Sequence, residues 1–341
     1  MAIRYFNDTF NLLSKLTIAR MLNIGKVVSS YYYSRWTGKA SQWGMPISIS
    51  IEPTTSCNLR CPECPSGLRS FTRKTGMLQQ DFFRSTIDQI KDDLWYLLFY
   101  FQGEPYLHTG FLEMVKYASK KGIYTATSTN AHFLNDDVAR ATVDSGLDRL
   151  IISIDGASQE TYQAYRVGGE LAKVLEGAAN IVKWKRRLRS KTPHLIFQFL
   201  VVAPNEQETV TVRKLAKAIG VNEVRLKTAQ IYDYKNGNRL IPLNEKYSRY
   251  KRKPDGTYIL KNKLLNHCWK LWHSSVVTWD GKVVPCCFDK DAQHLMGDLQ
   301  QHSFADIWQS KSYYLFRNKL LRSRKETDIC ANCSEGTTVF G

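Results

Sequence analysis

Residues 47 to 230 repeat one pattern: a short β-branched or aromatic run, a turn, then a segment of helical periodicity. The runs at 47–53, 94–101, 123–129, 148–155, 194–202 and 222–228 predict six strands. The stretches at 78–92, 108–121, 134–145, 170–189 and 206–219 predict helices between them, with the apolar spacing clearest at Leu171, Val174, Leu175, Ala178 and Ile181. Strands that alternate with helices pair in parallel through right-handed crossovers, which leaves a barrel or an open doubly wound sheet. Six strands fall short of the eight of a closed barrel, and either way the chain is α/β. Its functional residues belong at the C-terminal strand ends.

Three cysteines fall at such an end. The segment CNLRCPEC places Cys57, Cys61 and Cys64 in a loop directly after the first strand, with no fourth cysteine nearby. Three thiolates leave one corner of a four-iron cubane open to an outside ligand. Zinc is the alternative for such a triad, but a structural zinc site closes with a fourth Cys or His at short spacing. The remaining five cysteines, Cys268, Cys286, Cys287, Cys330 and Cys333, lie far downstream, with seventeen residues between Cys268 and Cys286 and a C-x2-C pair at Cys330 and Cys333. A closed four-thiolate zinc ribbon is the competing reading of that second set.

Composition fits a globular enzyme: of 341 residues, 43% are hydrophobic and 12% aromatic. The formal charge of +17 attracts polyanions without selecting among nucleic acid, anionic lipid and phosphorylated small molecules. No apolar run is long enough to span a bilayer and the N-terminus lacks a secretory signal, so a cytoplasmic protein with reduced cysteines is expected.

The C-x3-C-x2-C spacing after a first strand resembles the radical S-adenosylmethionine superfamily, and that resemblance implies that the strands form a partial (β/α)6 TIM-like barrel. The resemblance implies a 4Fe-4S cluster on Cys57, Cys61 and Cys64 whose open iron is chelated by the methionine moiety of S-adenosylmethionine. Electron transfer would then cleave the sulfonium and release a 5'-deoxyadenosyl radical that abstracts hydrogen from substrate. Gln102, Gly103 and Glu104 resemble the family's GGE motif, with Gln102 in place of the first glycine, and would hold the methionine ammonium. By the same resemblance Ser128 and Asn130 would meet the ribose, Ser153 and Asp155 end the fourth strand, and Arg166 would pair with the methionine carboxylate.

The C-terminal set resembles the shortened SPASM domain, called twitch. It implies one auxiliary 4Fe-4S cluster on Cys268, Cys286, Cys330 and Cys333, two clusters in all. Cys287 is read as a spare, because neighbours on a strand point to opposite faces. Ser275 to Pro285 reads as a hairpin around Asp280-Gly281. The chain then divides into a 1–45 extension, a 46–230 barrel, a 231–266 linker and a 267–341 cluster domain.

The extension has Phe10, Leu13, Met21, Ile24 and Val28 on one helical face. That face is expected to pack on the outside of the barrel, with peripheral membrane contact as the alternative. Asp289 is read as a turn residue rather than an acid or base, and His267 as a residue beside a ligand. The substrate is expected to be small and sugar-like, because the single-cluster form resembles an alcohol dehydrogenase of that kind and no peptide-binding domain of recognisable pattern precedes the barrel. A peptide-modifying maturase, an RNA-modifying enzyme and a zinc-binding interaction protein are the competing functions. A flavodoxin or ferredoxin would supply the electron, and nucleic acid is not an expected partner.

Overall fold

The computed structural model describes residues 2–339, with side chains from Asp8 onward. Six strands form where the β-branched runs lie: β1 (Ser48–Ile51), β2 (Tyr96–Leu98), β3 (Tyr124–Thr129), β4 (Arg149–Ser153), β5 (His194–Val201) and β6 (Glu223–Thr228). They pair in parallel in chain order, and helices at Gln80–Ile90, Phe111–Lys120, Asp136–Asp144, Leu171–Arg187 and Thr209–Ile219 connect them. Each helix buries one stripe, such as Leu171, Val174, Ala178 and Ile181, against the sheet. The architecture is the partial (β/α)6 barrel. A further helix at Gln159–Tyr165 lies between β4 and the long crossover helix, where the sequence pattern is too short to announce it.

The sheet does not stop at β1. After a two-stranded hairpin, β7 (Tyr250–Arg252) with β8 (Tyr258–Leu260), the chain returns as β9 (Ser274–Val277), which pairs in parallel with β1 over Ser48 to Ile51. β9 turns into β10 (Lys282–Val284), and β11 (Gly297–Asp298) closes a nine-stranded sheet. The hairpin at 275–285 therefore forms, but it extends the barrel sheet instead of standing apart. Trp269 and Trp272 are buried, while Trp279 leaves β9 to cover Gly76 of the barrel.

Two helices precede the barrel, α1 (Ala2–Ser14) and α2 (Ile18–Thr37). Thr17 starts α2, its hydroxyl accepting from Arg20 N, and Gly38 ends it in the left-handed region. Because the chain breaks between the two helices, the apolar face expected across residues 10–28 is not continuous. Ile24 and Val28 pack on the core, whereas Phe10, Leu13 and Met21 are exposed. Among the described residues no helix is long and apolar enough to cross a membrane.

Candidate active site

At the C-terminal ends of β1 to β4 lies a cavity of about 280 Å³, lined by Cys57, Cys61 and Cys64. The cysteine loop is held there from two sides. Arg73 folds back to make a two-pronged ion pair with the buried Glu52 just after β1 (2.6 and 2.8 Å), closing the base of the loop. Across the cavity, Glu104 N donates to Ser56 O (2.8 Å) and Gly103 N to Ser66 Oγ (2.9 Å). Gly103 has φ +75°, and a Cβ there would lie 2.2 Å from Thr54 O, so only glycine lets the two loops approach.

Of the residues expected to meet the cosubstrate, Gln102, Gly103, Glu104, Ser128, Asn130, Ser153 and Arg166 all line this cavity. Glu104 is fully buried among donors: Thr129 Oγ1 at 2.7 Å, Asn130 N at 2.8 Å and Tyr106 N at 3.2 Å. Burial raises its carboxyl to about 7, against the pull of those donors. Asn130 in turn donates to Asn58 Oδ1 (2.7 Å), tying β3 to the cysteine loop. Ser128 and Ser153 sit side by side, with their hydroxyls 3.5 Å apart.

Asp155 is placed differently from the rest. Its carboxylate lies outside the cavity lining, accepting from Leu200 N (2.7 Å) and from Arg166 Nε (2.5 Å). It anchors Arg166, which reaches the cavity and points Nη1 at Cys61 Sγ (3.7 Å). A donor also meets Cys57, whose Sγ accepts from Leu59 N at 3.5 Å, whereas the Cys64 thiol itself donates to Gln102 Oε1 at 3.8 Å. Burial pushes the Cys57 thiol up to about 11 and that of Cys61 in the same direction. N–H and guanidinium groups aimed at buried sulfurs suit thiolate ligands of a cluster. Among the described residues no three His, Cys, Asp or Glu side chains converge to hold a single metal ion.

The rest of the lining, which includes Tyr100 and Lys290, is not marked by the sequence motifs. Lys290 arrives from the far segment after β10, donates to Glu63 O (3.4 Å) and lies over the Tyr232 ring at 4.7 Å. Burial lowers its ammonium, opposed by Cys64, Cys287 and Glu63. It thus stands between the two cysteine groups. No sequence periodicity marks such a residue.

In the second group, Cys268, Cys330 and Cys333 are buried close enough for their charges to interact, and Cys286 interacts with Cys268. Gly336 passes directly over Cys268, where a Cβ would lie 2.4 Å from its sulfur, and Glu335 N donates to Cys333 Sγ (3.4 Å). Cys286 and Cys287 follow the end of β10 and lie in a turn, so strand alternation does not separate them. Their thiols are hydrogen-bonded to each other, which holds Cys286 above the usual thiol value and Cys287 below it. Cys268 is among the groups that act on Cys286, while Cys287 packs with Phe101, Val276 and Val284. Asp289 accepts from Gln293 N and His294 N (both 2.8 Å) as a turn residue, and His267 Nδ1 meets Tyr31 Oη at 3.0 Å.

Residues 51–207 match the radical SAM superfamily, and residues 268–334 match SPASM, an iron-sulfur cluster-binding domain. The chain belongs to the radical S-adenosylmethionine superfamily and carries a SPASM domain. It is an enzyme, and these domains bind a 4Fe-4S cluster with S-adenosylmethionine and auxiliary iron-sulfur centres respectively.

Among curated relatives, the tungsten-containing aldehyde ferredoxin oxidoreductase cofactor-modifying protein of Pyrococcus furiosus is 25% identical, over 84% of this chain and 86% of that protein. The PqqA peptide cyclase of Rhodopseudomonas palustris is 27% identical, over 89% of this chain and 83% of its own. That of Bradyrhizobium diazoefficiens is 23% identical, over 89% and 82%. Of solved structures, BtrN with AdoMet and 2-DOIA superposes with TM-score 0.54 at 18% identity, over 85% of this chain and 94% of that one. SuiB of Streptococcus suis with S-adenosylmethionine superposes with TM-score 0.62 at 12% identity, over 90% and 74%. Identities this low establish the shared fold.

Proposed function

We propose that this chain modifies a peptide, with Cys57, Cys61 and Cys64 holding the cosubstrate-binding cluster and Cys268, Cys286, Cys330 and Cys333 an auxiliary one. When bound, the first cluster and S-adenosylmethionine supply a radical able to take hydrogen from an unactivated C–H. The chain's own residues bind and orient. Gln102, Gly103 and Glu104 offer backbone and carboxylate oxygens to the methionine ammonium, and Arg166, fixed by Asp155, faces its carboxylate. Ser128, Asn130 and Ser153 present hydroxyl and amide groups to the ribose. The observation that carries the enzyme reading is the single cavity that gathers these seven side-chain and backbone positions over three thiols.

The peptide class is supported by the likeness to PqqA peptide cyclases, which extends across both domains, and replaces the sugar-like substrate as the better reading. Lys290, placed between the two cysteine groups, is suited to hold an acidic or carbonyl oxygen of the substrate at the cavity mouth.

The test is to incubate the reconstituted enzyme, S-adenosylmethionine and dithionite with synthetic copies of small peptides encoded beside its gene. Loss of hydrogen from a peptide or a new cross-link, seen by mass spectrometry together with 5'-deoxyadenosine, is the expected result. Oxidation of an aminocyclitol with no peptide changed would overturn the peptide class and leave the cosubstrate chemistry standing.

A further inference from the structure

Helix α2 packs one mixed stripe on the protein and leaves a second, apolar one without a neighbour. The stripe it buries is Arg20, Asn23, Val27, Ser30, Tyr31 and Ser34, with Ile24 and Val28 packed beside it. Most of its polar groups are bonded inside: Asn23 bonds Met45 through both its oxygen and its nitrogen, Arg20 donates through Nη1 and Nη2 to the carbonyls of Lys15, Lys91 and Gly122 while its Nε has no partner, and Ser34 caps Ser30 O and the turn at Ser41. The opposite stripe, at Ile18, Leu22, Gly25, Ser29, Tyr32 and Trp36, advances by four, three, four, three and four residues and stays exposed along the whole helix. Ile18 is 74% exposed, Leu22 65% and Trp36 85%, so most of each residue's surface faces solvent. A row of this kind, five turns long, is not the scattered apolar exposure of an ordinary surface.

The patch continues onto the Lys311–Arg322 helix. Ala40 N donates to Asn318 Oδ1 (3.0 Å), which joins the two elements, and Tyr33, Trp36 and Lys39 share a cleft of about 540 Å³ with Tyr314. Leu315 is exposed beside Tyr314, flanked by Lys311 and Lys319. The sequence contains no Asp or Glu from residue 9 to 51 or from 307 to 325. Exposed cations on these stretches include Lys26, Arg35, Lys39, Lys311 and Lys319. Opposing charges at the N-terminal half of α2 come from Asp92, which acts on Arg20, and Asp93, which acts with Lys26.

We infer that the outer face of α2, extended by Tyr314 and Leu315, docks the enzyme on an anionic lipid surface. Exposed Trp and Tyr at one end, aliphatic side chains at the other and a border of cations on stretches that carry no carboxylate of their own match the chemistry of the headgroup boundary. A second copy of the chain would set this cationic face against itself. A nucleic acid would use the cations but leave Ile18, Met21 and Leu22 without a partner. The docking does not depend on what the active site modifies.

The test is cosedimentation of the full-length, cluster-loaded enzyme with vesicles of phosphatidylcholine alone and of phosphatidylcholine with phosphatidylglycerol, at low and high salt. Wild type is expected to bind the phosphatidylglycerol vesicles and to bind less as salt rises. The double variant Leu22→Ser, Trp36→Ser is expected to lose affinity on the order of tenfold or more. Both positions are exposed, so its circular dichroism, iron content and 5'-deoxyadenosine formation should match wild type. Absence of binding to either vesicle overturns the inference, as does equal binding by the variant. A dimer, or an RNA complex in a gel shift, that forms in wild type and is lost in the variant would overturn it too, by assigning the face to another occupant.

Discussion

Arg166 Nε donates to Asp155 Oδ2 at 2.5 Å, and this contact turns the guanidinium toward Cys61 and the cavity above the three thiols. Asp155 is completely buried and spends its other oxygen on Leu200 N. One carboxylate therefore fixes both the end of β5 and the direction of a cavity cation.

Asp155→Ala leaves Arg166 in the buried site without its counter-charge and strips Leu200 N of its acceptor. The expected cost is about 3–5 kcal/mol of stability, measured by guanidinium denaturation of the unloaded chain. Asp155→Asn, which keeps an acceptor for Leu200 N, should cost less while still weakening S-adenosylmethionine binding in a titration calorimeter. Unchanged cosubstrate affinity in the Asn variant would mean that Arg166 does not face the cosubstrate.

The two cysteine groups should be separable by iron analysis. Replacing Cys57, Cys61 and Cys64 together by Ala is expected to remove about four iron atoms per chain and abolish 5'-deoxyadenosine formation. Replacing Cys268, Cys330 and Cys333 should also remove about four, while leaving some reductive cleavage of the cosubstrate. Substituting Cys287 alone by Ala should leave the iron count unchanged, whereas Cys286→Ala should reduce it.

Gly103→Ala tests the close approach of the two loops. With φ +75° and Thr54 O in the path of the new methyl group, the substitution is expected to cost at least about 1–3 kcal/mol. It should raise the KM for S-adenosylmethionine as well, because the loop carrying Glu104 must retreat from the cysteine loop. Thermal melts and steady-state kinetics read the two effects separately.

His273 predicts part of the acid sensitivity. Burial, helped by Lys270, lowers its imidazole from 6.5 to about 3, and its Nδ1 is buried without a hydrogen-bond partner. The unfolded chain therefore binds a proton between those values that the folded chain refuses. The stability due to neutral His273 is intact above pH 6.5 and is lost as pH falls toward 3, amounting to about 2 kcal/mol at pH 5. His273→Phe should shrink the difference between denaturation curves at pH 7 and pH 5 by a similar amount. Parallel pH dependence in the two proteins would exclude His273 as the source.

Lys290→Met should separate substrate handling from cosubstrate cleavage. Because Lys290 lines the cavity with the three thiols, the variant is expected to form 5'-deoxyadenosine but to yield less modified substrate for each molecule of it. Lys290→Arg, which keeps the charge, should recover part of the coupling. A variant with normal coupling would place Lys290 in a packing role only.

Much of this protein is written locally in its chain. The period-2 and period-3.6 runs from 47 to 230 determined six strands and their crossover helices, and the spacing of Cys57, Cys61 and Cys64 determined what a loop after β1 could ligate. Those signals are legible because each depends on residues within a few positions of one another. Tertiary structure alone decided the rest. β9 lies beside β1 because an unpaired strand edge is filled by a segment more than two hundred residues away. Asp155 stands behind Arg166, Lys290 reaches the cavity from beyond β10, and Cys286 and Cys287 leave the strand before their directions are set. For α2 the periodicity announced an apolar stripe but not which stripe would be buried. Hydrogen bonds of Asn23, Arg20 and Ser34, with Val27 and Tyr31 packed among them, fixed the inner stripe and left Ile18, Leu22 and Trp36 facing out. Such choices depend on partners distant in sequence, and sequence periodicity carries no record of them.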